Sequence, residues 1–167
     1  MEKVVVVRAG RKHKDFIIKA NKVINSINET NQTNELENNF EKDYFCDVPK
    51  FECLVAEYAG IPVGMILYSK FYWANDGEVL WISQMYVEKE YRKKGVFFKL
   101  IQFLKEMNQD IKIVSCATGE DNIRMQKILK YYGSKEINLK FYYKKIWHMN
   151  NEFYEYDFTK KYLKLEN

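Results

Sequence analysis

A chain of 167 residues with 47% hydrophobic and 16% aromatic content has ample material for one buried core, which excludes an intrinsically disordered chain. The net charge of +4 is modest and its basic residues are interleaved with acids, so the pattern favours a local anion site over a nucleic-acid surface. Cys46, Cys53 and Cys116 have no metal-like spacing and cannot all pair, and there is neither a signal-like leader nor a membrane-length apolar run. A soluble, cytoplasmic protein with reduced thiols and no metal is the expectation.

In chain order, Val4 to Val7 is an all-valine run that reads as a first strand, ended by Ala9-Gly10. Phe16, Ile17, Ala20, Val23, Ile24 and Ile27 recur at helical spacing and predict an amphipathic helix from about Lys14 to Ile27. An Asn-rich loop follows over 28–35, then a weaker helix marked by Leu36, Phe40 and Tyr44. Glu35, Glu37, Glu41, Asp43 and Asp47 lie in this region. They either solvate one helix face or line a pocket that attracts a cation.

Phe51 to Tyr58 and Val63 to Tyr72 read as a hairpin around Gly60-Ile61-Pro62. Asn75-Asp76-Gly77 is a second turn. It leads into Val79 to Val87, an apolar, β-branched and aromatic run that reads as a central strand buried on both faces. Val96, Phe97, Leu100, Ile101, Leu104 and Met107 then mark an amphipathic helix. Between strand and helix, Glu88 to Gly95 ends in Arg92-Lys93-Lys94-Gly95. A glycine at the helix entrance, unpartnered amides and adjacent cations together make a plausible pyrophosphate cradle, although such basic loops are also commonly solvated surface.

Ile111 to Ala117 reads as a strand parallel to the central one through a right-handed crossover. Gly119 to Asn122 is a loop, Ile123 to Tyr132 a short helix capped by Gly133, and Leu139 to Trp147 a further strand. The alternation Tyr154, Tyr156, Phe158 predicts one more strand, covering an edge or forming a subunit contact.

The stretch Val87 to Leu100, V-E-K-E-Y-R-K-K-G-V-F-F-K-L, resembles the acetyl-coenzyme A binding motif of the Gcn5-related N-acetyltransferases. The segment from Glu120-Asp121-Asn122 to Gly133 resembles their second signature. Within that family the run from Phe71 to Arg92 is most similar to the diamine acetyltransferases. The resemblance covers roughly Val4 to Trp147. It implies a single α/β domain over 1–147: a mixed, mostly antiparallel sheet with a central splayed pair of parallel strands and flanking helices. Residues 148–167 remain as an extension packed on that domain or at a homodimer contact.

By the same resemblance, backbone groups of Met85, Tyr86 and Val87 pair with the thioester and pantetheine arm of acetyl-CoA. Arg92, Lys93, Lys94, Gly95, Val96 and Phe97 hold its pyrophosphate, and Asn122 bonds near the arm. The implied activity is direct acetyl transfer to a primary amine of a small molecule, with no membrane or nucleic-acid partner. Three positions depart from the family pattern. Phe97 stands where a second small residue is expected; losing one charge-assisted hydrogen bond there costs about 1.5–3 kcal/mol. Ser83 aligns with the carboxylate base of the diamine branch, and a serine orders water but is a poor base. Leu129 replaces the tyrosine that protonates the departing thiolate. These departures leave open a sensor or interaction module that keeps the fold, and for Tyr86 the side chain reads as a packed strand aromatic.

Overall fold

The computed structural model describes residues 4–27, 35–74, 77–111, 113–116, 118, 122–131, 145–147 and 153–155. The chain divides into two units, Met1–Gly119 and Glu120–Asn167. The first is built on a five-stranded sheet in the order β1 (Val4–Arg8), β2 (Glu52–Tyr58), β3 (Ile61–Trp73), β4 (Gly77–Val87), β5 (Ile113–Cys116). The first four strands pair antiparallel in succession, and β5 joins β4 in parallel. The β2–β3 turn is Ala59-Gly60, both with positive φ, the backbone that a two-residue hairpin of right-handed twist requires. Ile61 and Pro62, expected in that turn, already belong to β3.

Each face of the sheet carries a helical layer. The helix α3 (Val96–Met107) presents Val96, Leu100 and Leu104 at four-residue spacing, and these are buried with Leu54, Ile66, Tyr68, Leu80 and Ile82. On the opposite face α1 (Lys14–Ile27) buries Ile17 and Ala20 against Val55, Met65 and Leu67. There α2 (Glu35–Asn39) runs into a π-turn over Phe40–Tyr44, which keeps Phe40 and Tyr44 on one inward side. Phe40 is fully buried with its ring 5.0 Å from that of Tyr44 and 5.2 Å from Phe51. Burial of a phenylalanine side chain contributes about 1.5–3 kcal/mol.

His13 fills a polar gap in this layer. It is 2% exposed, and its Nδ1 lies 2.9 Å from the Gly10 amide. An amide only donates, so Nδ1 accepts and Nε2 carries the hydrogen given to Glu57 Oε1 at 2.8 Å. The hydrogen bonds from His13 first, and from Lys12, hold the Glu57 carboxyl below the usual carboxylate range.

In the second unit, α4 (Ile123–Tyr131) precedes β6 (Lys145–Trp147) and β7 (Phe153–Glu155), which pair antiparallel. The other residues of the strands expected over 139–158, with Tyr132 and Gly133, lie outside the described residues. Among the described residues no helix is long and apolar enough to cross a membrane.

Candidate functional site

The central strand changes partners at one residue. Its pairing with β5 joins Val79–Ile82 to Ile113–Cys116, and among the described residues nothing beyond Ile82 continues it. On its other side β4 stays paired with β3 to Val87, but the register slips: Tyr68 faces Ile82 and Leu67 faces Gln84. Ser83 is therefore the extra residue of a β-bulge. Its exposed position is held by its own hydroxyl, which donates to the Leu67 carbonyl at 3.2 Å.

The bulge reverses the alternation of side chains. Before it, Leu80 and Ile82 face α3; after it, Met85 and Val87 do, while Tyr86 packs on the α1 side. The expectation of a strand buried on both faces holds at Val79 and Leu80 and is corrected at Trp81 and Ser83, which are exposed. Among the described residues two buried side-chain oxygens have no hydrogen-bond partner, Gln84 Oε1 and Thr118 Oγ1. One lies just past the bulge on β4 and the other just past the end of β5. Gln84 Nε2 donates to Asn21 Oδ1, which fixes the amide and leaves its oxygen to be matched.

Met85, Tyr86 and Val87 thus lie in the stretch of β4 that has no β5 partner among the described residues, and all three are half-buried. The Tyr86 ring lies 6.4 Å from Phe16, and its hydroxyl donates to Glu88 Oε2 at 2.9 Å. Burial, then this bond to Glu88, raises the Tyr86 phenol above its ordinary value, so it remains protonated. Burial opposes ionisation of Glu88, but bonds from Lys19 and Tyr86 outweigh it and hold that carboxyl below its usual range.

The connection to α3 leaves the same end of β4. The Glu88 amide donates to Val63 O at 2.8 Å, a single turn of 3-10 helix spans Lys89–Tyr91, and Arg92 Nε donates back to Val87 O at 2.9 Å. Arg92 therefore fastens the loop to the strand end. Lys93 and Gly95 both have left-handed backbone, φ 65° and 78°, a conformation costly for lysine and free for glycine. Lys93 is exposed. The Lys94 ammonium sits 4.9 Å from the Tyr91 ring centre, a cation–π contact. Gly95 caps α3, and a Cβ placed on it would meet no heavy atom within 4 Å. Val96 is buried in the core and Phe97 half-buried in the first turn.

The approach of α3 to the sheet depends on a residue that the pattern analysis passed over. A Cβ on Gly64 of β3 would lie 2.9 Å from Val96 Cγ1 and 3.2 Å from the Tyr86 carbonyl oxygen.

In the second unit, Asn122 starts α4. Its Oδ1 accepts from the Met125 amide at 3.2 Å, which makes it a helix cap. Leu129 is half-buried on the same helix, and Tyr131 is exposed.

Of the acids expected either as a solvated face or as a cation pocket, Glu41 and Asp43 are engaged in ion pairs at the surface. Glu41 pairs with Arg11 at 2.7 Å and with Lys14 at 2.9 Å, and Asp43 pairs with Lys50 at 2.6 Å. Glu37 lines a groove of about 580 Å³ along the outer side of α1 together with Asp15, but Lys19 and Lys22 line it too. The Cys116 thiol belongs to the α3-side core, and burial raises it above its ordinary value. Among the described residues no group of His, Cys, Asp or Glu is arranged to hold a metal ion.

Comparison with known proteins fits this geometry. The model of the Acetyltransferase (GNAT) family matches residues 21–133. Comparison with curated proteins gives no match. A possible acetyltransferase from Clostridium difficile 630 is similar in structure, with a TM-score of 0.72 and 22% identity, covering 88% of this chain and 100% of its own. The aminoglycoside N-acetyltransferase AAC(6')-Iy in complex with CoA gives a TM-score of 0.71 at 16% identity, over 86% of this chain and 95% of its own. An aminoglycoside acetyltransferase from an uncultured soil metagenomic sample, in complex with sisomicin, gives 0.68 at 14% identity, over 84% and 95%. With its mixed sheet, its flanking helices and a family match over more than half its length, the chain belongs to the acetyltransferase (GNAT) family and is an acyl-CoA N-acyltransferase.

Proposed function

We propose that the protein transfers an acetyl group from acetyl-CoA directly to a primary amine of a small molecule, with no covalent enzyme intermediate. The observation that carries this reading is the β5-side edge of β4 beyond Ile82, unpaired among the described residues, at the strand end from which the loop to α3 departs. An edge of this kind takes an extended, amide-bearing arm much as it would take another strand. Met85, Tyr86 and Val87 supply that edge, while Thr118 Oγ1 is a buried acceptor that an amide N–H group would satisfy.

Arg92, Lys93, Lys94, Gly95, Val96 and Phe97 form the anion cradle in this reading. The left-handed turns at Lys93 and Gly95, the start of a helix and the empty space before Gly95 suit a pyrophosphate. Acetyl-CoA supplies the thioester when bound. The chain supplies proximity and a strand amide to polarise the thioester carbonyl.

An alkyl ammonium has a pKa of about 10.4 and must lose a proton before it attacks. Ser83 Oγ spends its own hydrogen on Leu67 O, so its lone pairs are left to accept one from the amine or an ordered water. Ser83 thereby orients the proton path rather than acting as the base itself. The acceptor in this reading is a small amine such as a diamine or an aminoglycoside, and the protein is cytoplasmic. Release of CoA thiol from acetyl-CoA over a panel of primary amines tests the reaction. Amine-dependent turnover, lowered about 10²-fold in Ser83→Ala, supports it. Binding of acetyl-CoA with no turnover on any amine would favour an interaction module.

A further inference from the structure

On the α1 face of the sheet, toward the β3–β4 turn, lies a row of aromatic side chains, two exposed and one half-buried, with the fully buried Val79 aligned with Phe71 among them. Trp81 of β4 is 36% exposed and Trp73 of β3 is 47% exposed, with Phe71 half-buried between their strand positions. The β3 register and alternation put Ser69, Phe71 and Trp73 on the face that carries Met65 and Leu67 further along. The Phe71 and Trp73 rings are in contact, with centroids 5.3 Å apart.

Trp81 pairs with Ser69 on one side and Ser115 on the other. Both neighbours are small, so neither directly paired position among the described residues raises a tall side chain beside the indole. Phe71 is its diagonal neighbour, about 7–8 Å away and within reach of a large ring. At the other end of the row, Ser83 and Gln84 follow Trp81 in β4.

We infer that Trp81, with Phe71 and Trp73 behind it, is the floor of the acceptor subsite, and that it selects a cationic alkylamine. The inference rests on the acetyl-transfer reading for the position of the reacting carbonyl, at the bulge where β4 leaves β5. An amine that reaches Ser83 along this face must lie over Trp81, two residues or roughly 7 Å back along the strand. Indole is the side chain whose face attracts a cation most strongly. Gln84 Oε1, still without a donor among the described residues, stands on the far side of the bulge as the hydrogen-bond acceptor for an ammonium. The charge pattern therefore matches a donor cation rather than a neutral or anionic ligand.

Register also sets a length. Trp73 is aligned with Gly77, four residues along β4 from Trp81, which is roughly 13 Å of strand. A long diamine spans both indoles, whereas a short monoamine covers only Trp81.

The test uses the full-length protein saturated with CoA, titrated calorimetrically with butylammonium and with 1,8-diaminooctane. The expected result is that Trp81→Leu, which keeps an apolar side chain but removes the π face, weakens both amines about five- to thirtyfold. Trp81→Phe gives a smaller loss, Trp73→Leu weakens only the long diamine, and CoA affinity is unchanged throughout. Equal amine affinity in wild type and Trp81→Leu overturns the inference, as does failure of both amines to bind the wild-type complex. A lowered melting temperature in Trp81→Leu with amine affinity intact also overturns it, by assigning this face to the packing of the chain itself. Trp81-dependent amine binding without acetyl transfer supports the subsite and contradicts only the proposed reaction.

Discussion

Gly64→Ala links the core to the cofactor cradle through a single methyl group. Gly64 lies on β3, aligned with Ala56 on one side and Val87 on the other. The added Cβ would be 2.9 Å from Val96 Cγ1 and 3.2 Å from both Leu100 Cδ1 and the Tyr86 carbonyl oxygen. Carbon atoms pack best at about 3.5–4.0 Å, so both apolar contacts are several tenths of an ångström too short. Val96 and Leu100 are each 1% exposed and have no solvent to rotate into, and the third contact is backbone of β4. Overpacking of this kind costs about 1–3 kcal/mol, and three simultaneous close contacts argue for the upper half, about 2–3 kcal/mol.

At about 2–4 °C per kcal/mol for a chain of this size, the melting temperature falls by about 4–12 °C. Relief requires the first turn of α3 to lift from β3 and carry Gly95 with it, so acetyl-CoA affinity falls too, by about tenfold. Urea unfolding followed by far-ultraviolet circular dichroism, with calorimetric titration of acetyl-CoA, reads both effects. A loss of stability below about 0.5 kcal/mol with unchanged affinity would refute the close approach of helix and strand.

Further outcomes follow from the same packing. Gly95→Ala meets no neighbour, so its effect is backbone strain alone, about 1–2 kcal/mol by urea unfolding, with weakened acetyl-CoA binding as the cradle relaxes. His13→Ala strands the Gly10 amide and removes a donor to Glu57, and costs about 1–3 kcal/mol in the same assay. The Glu57 carboxyl titrates lower in the folded protein than unfolded, so its contribution is present above the unfolded value of about 4.3 and fades as pH falls through the folded one. The stability difference between wild type and Glu57→Gln therefore shrinks between neutral pH and pH 3; a constant difference would contradict the ion pair. Lys19→Met breaks the 3.0 Å contact with Glu88, but the ammonium is largely exposed, so unfolding shifts by less than about 1 kcal/mol.

The helices were legible in the sequence because their apolar spacing is unambiguous. The Lys14–Ile27 and Val96–Met107 helices occur at the expected residues, and Gly95 stands at the helix entrance where the loop composition placed it. The bulge at Ser83 was hidden by reading Val79 to Val87 as one apolar run. Its trace was nonetheless present, since the core positions Leu80, Ile82, Met85 and Val87 contain one spacing of three among spacings of two. The exposure of Trp81 was hidden for the same reason, since it lies within that apolar run. The role of Gly64 was invisible because it depends on the distance between β3 and α3, which no local pattern encodes. The role of His13 leaves no local trace in the sequence, since its two partners come from a turn and from a strand residue 44 positions away.

The account rests on the loop before α3 being an anion cradle for CoA. Calorimetric titration of acetyl-CoA into the wild type and into Gly95→Glu, which sets a carboxylate in the open space before the helix, tests this most directly. The account predicts a Kd on the order of micromolar for the wild type and at least a hundredfold loss in the variant. Equal affinity in the two proteins, or no binding to the wild type, would contradict it.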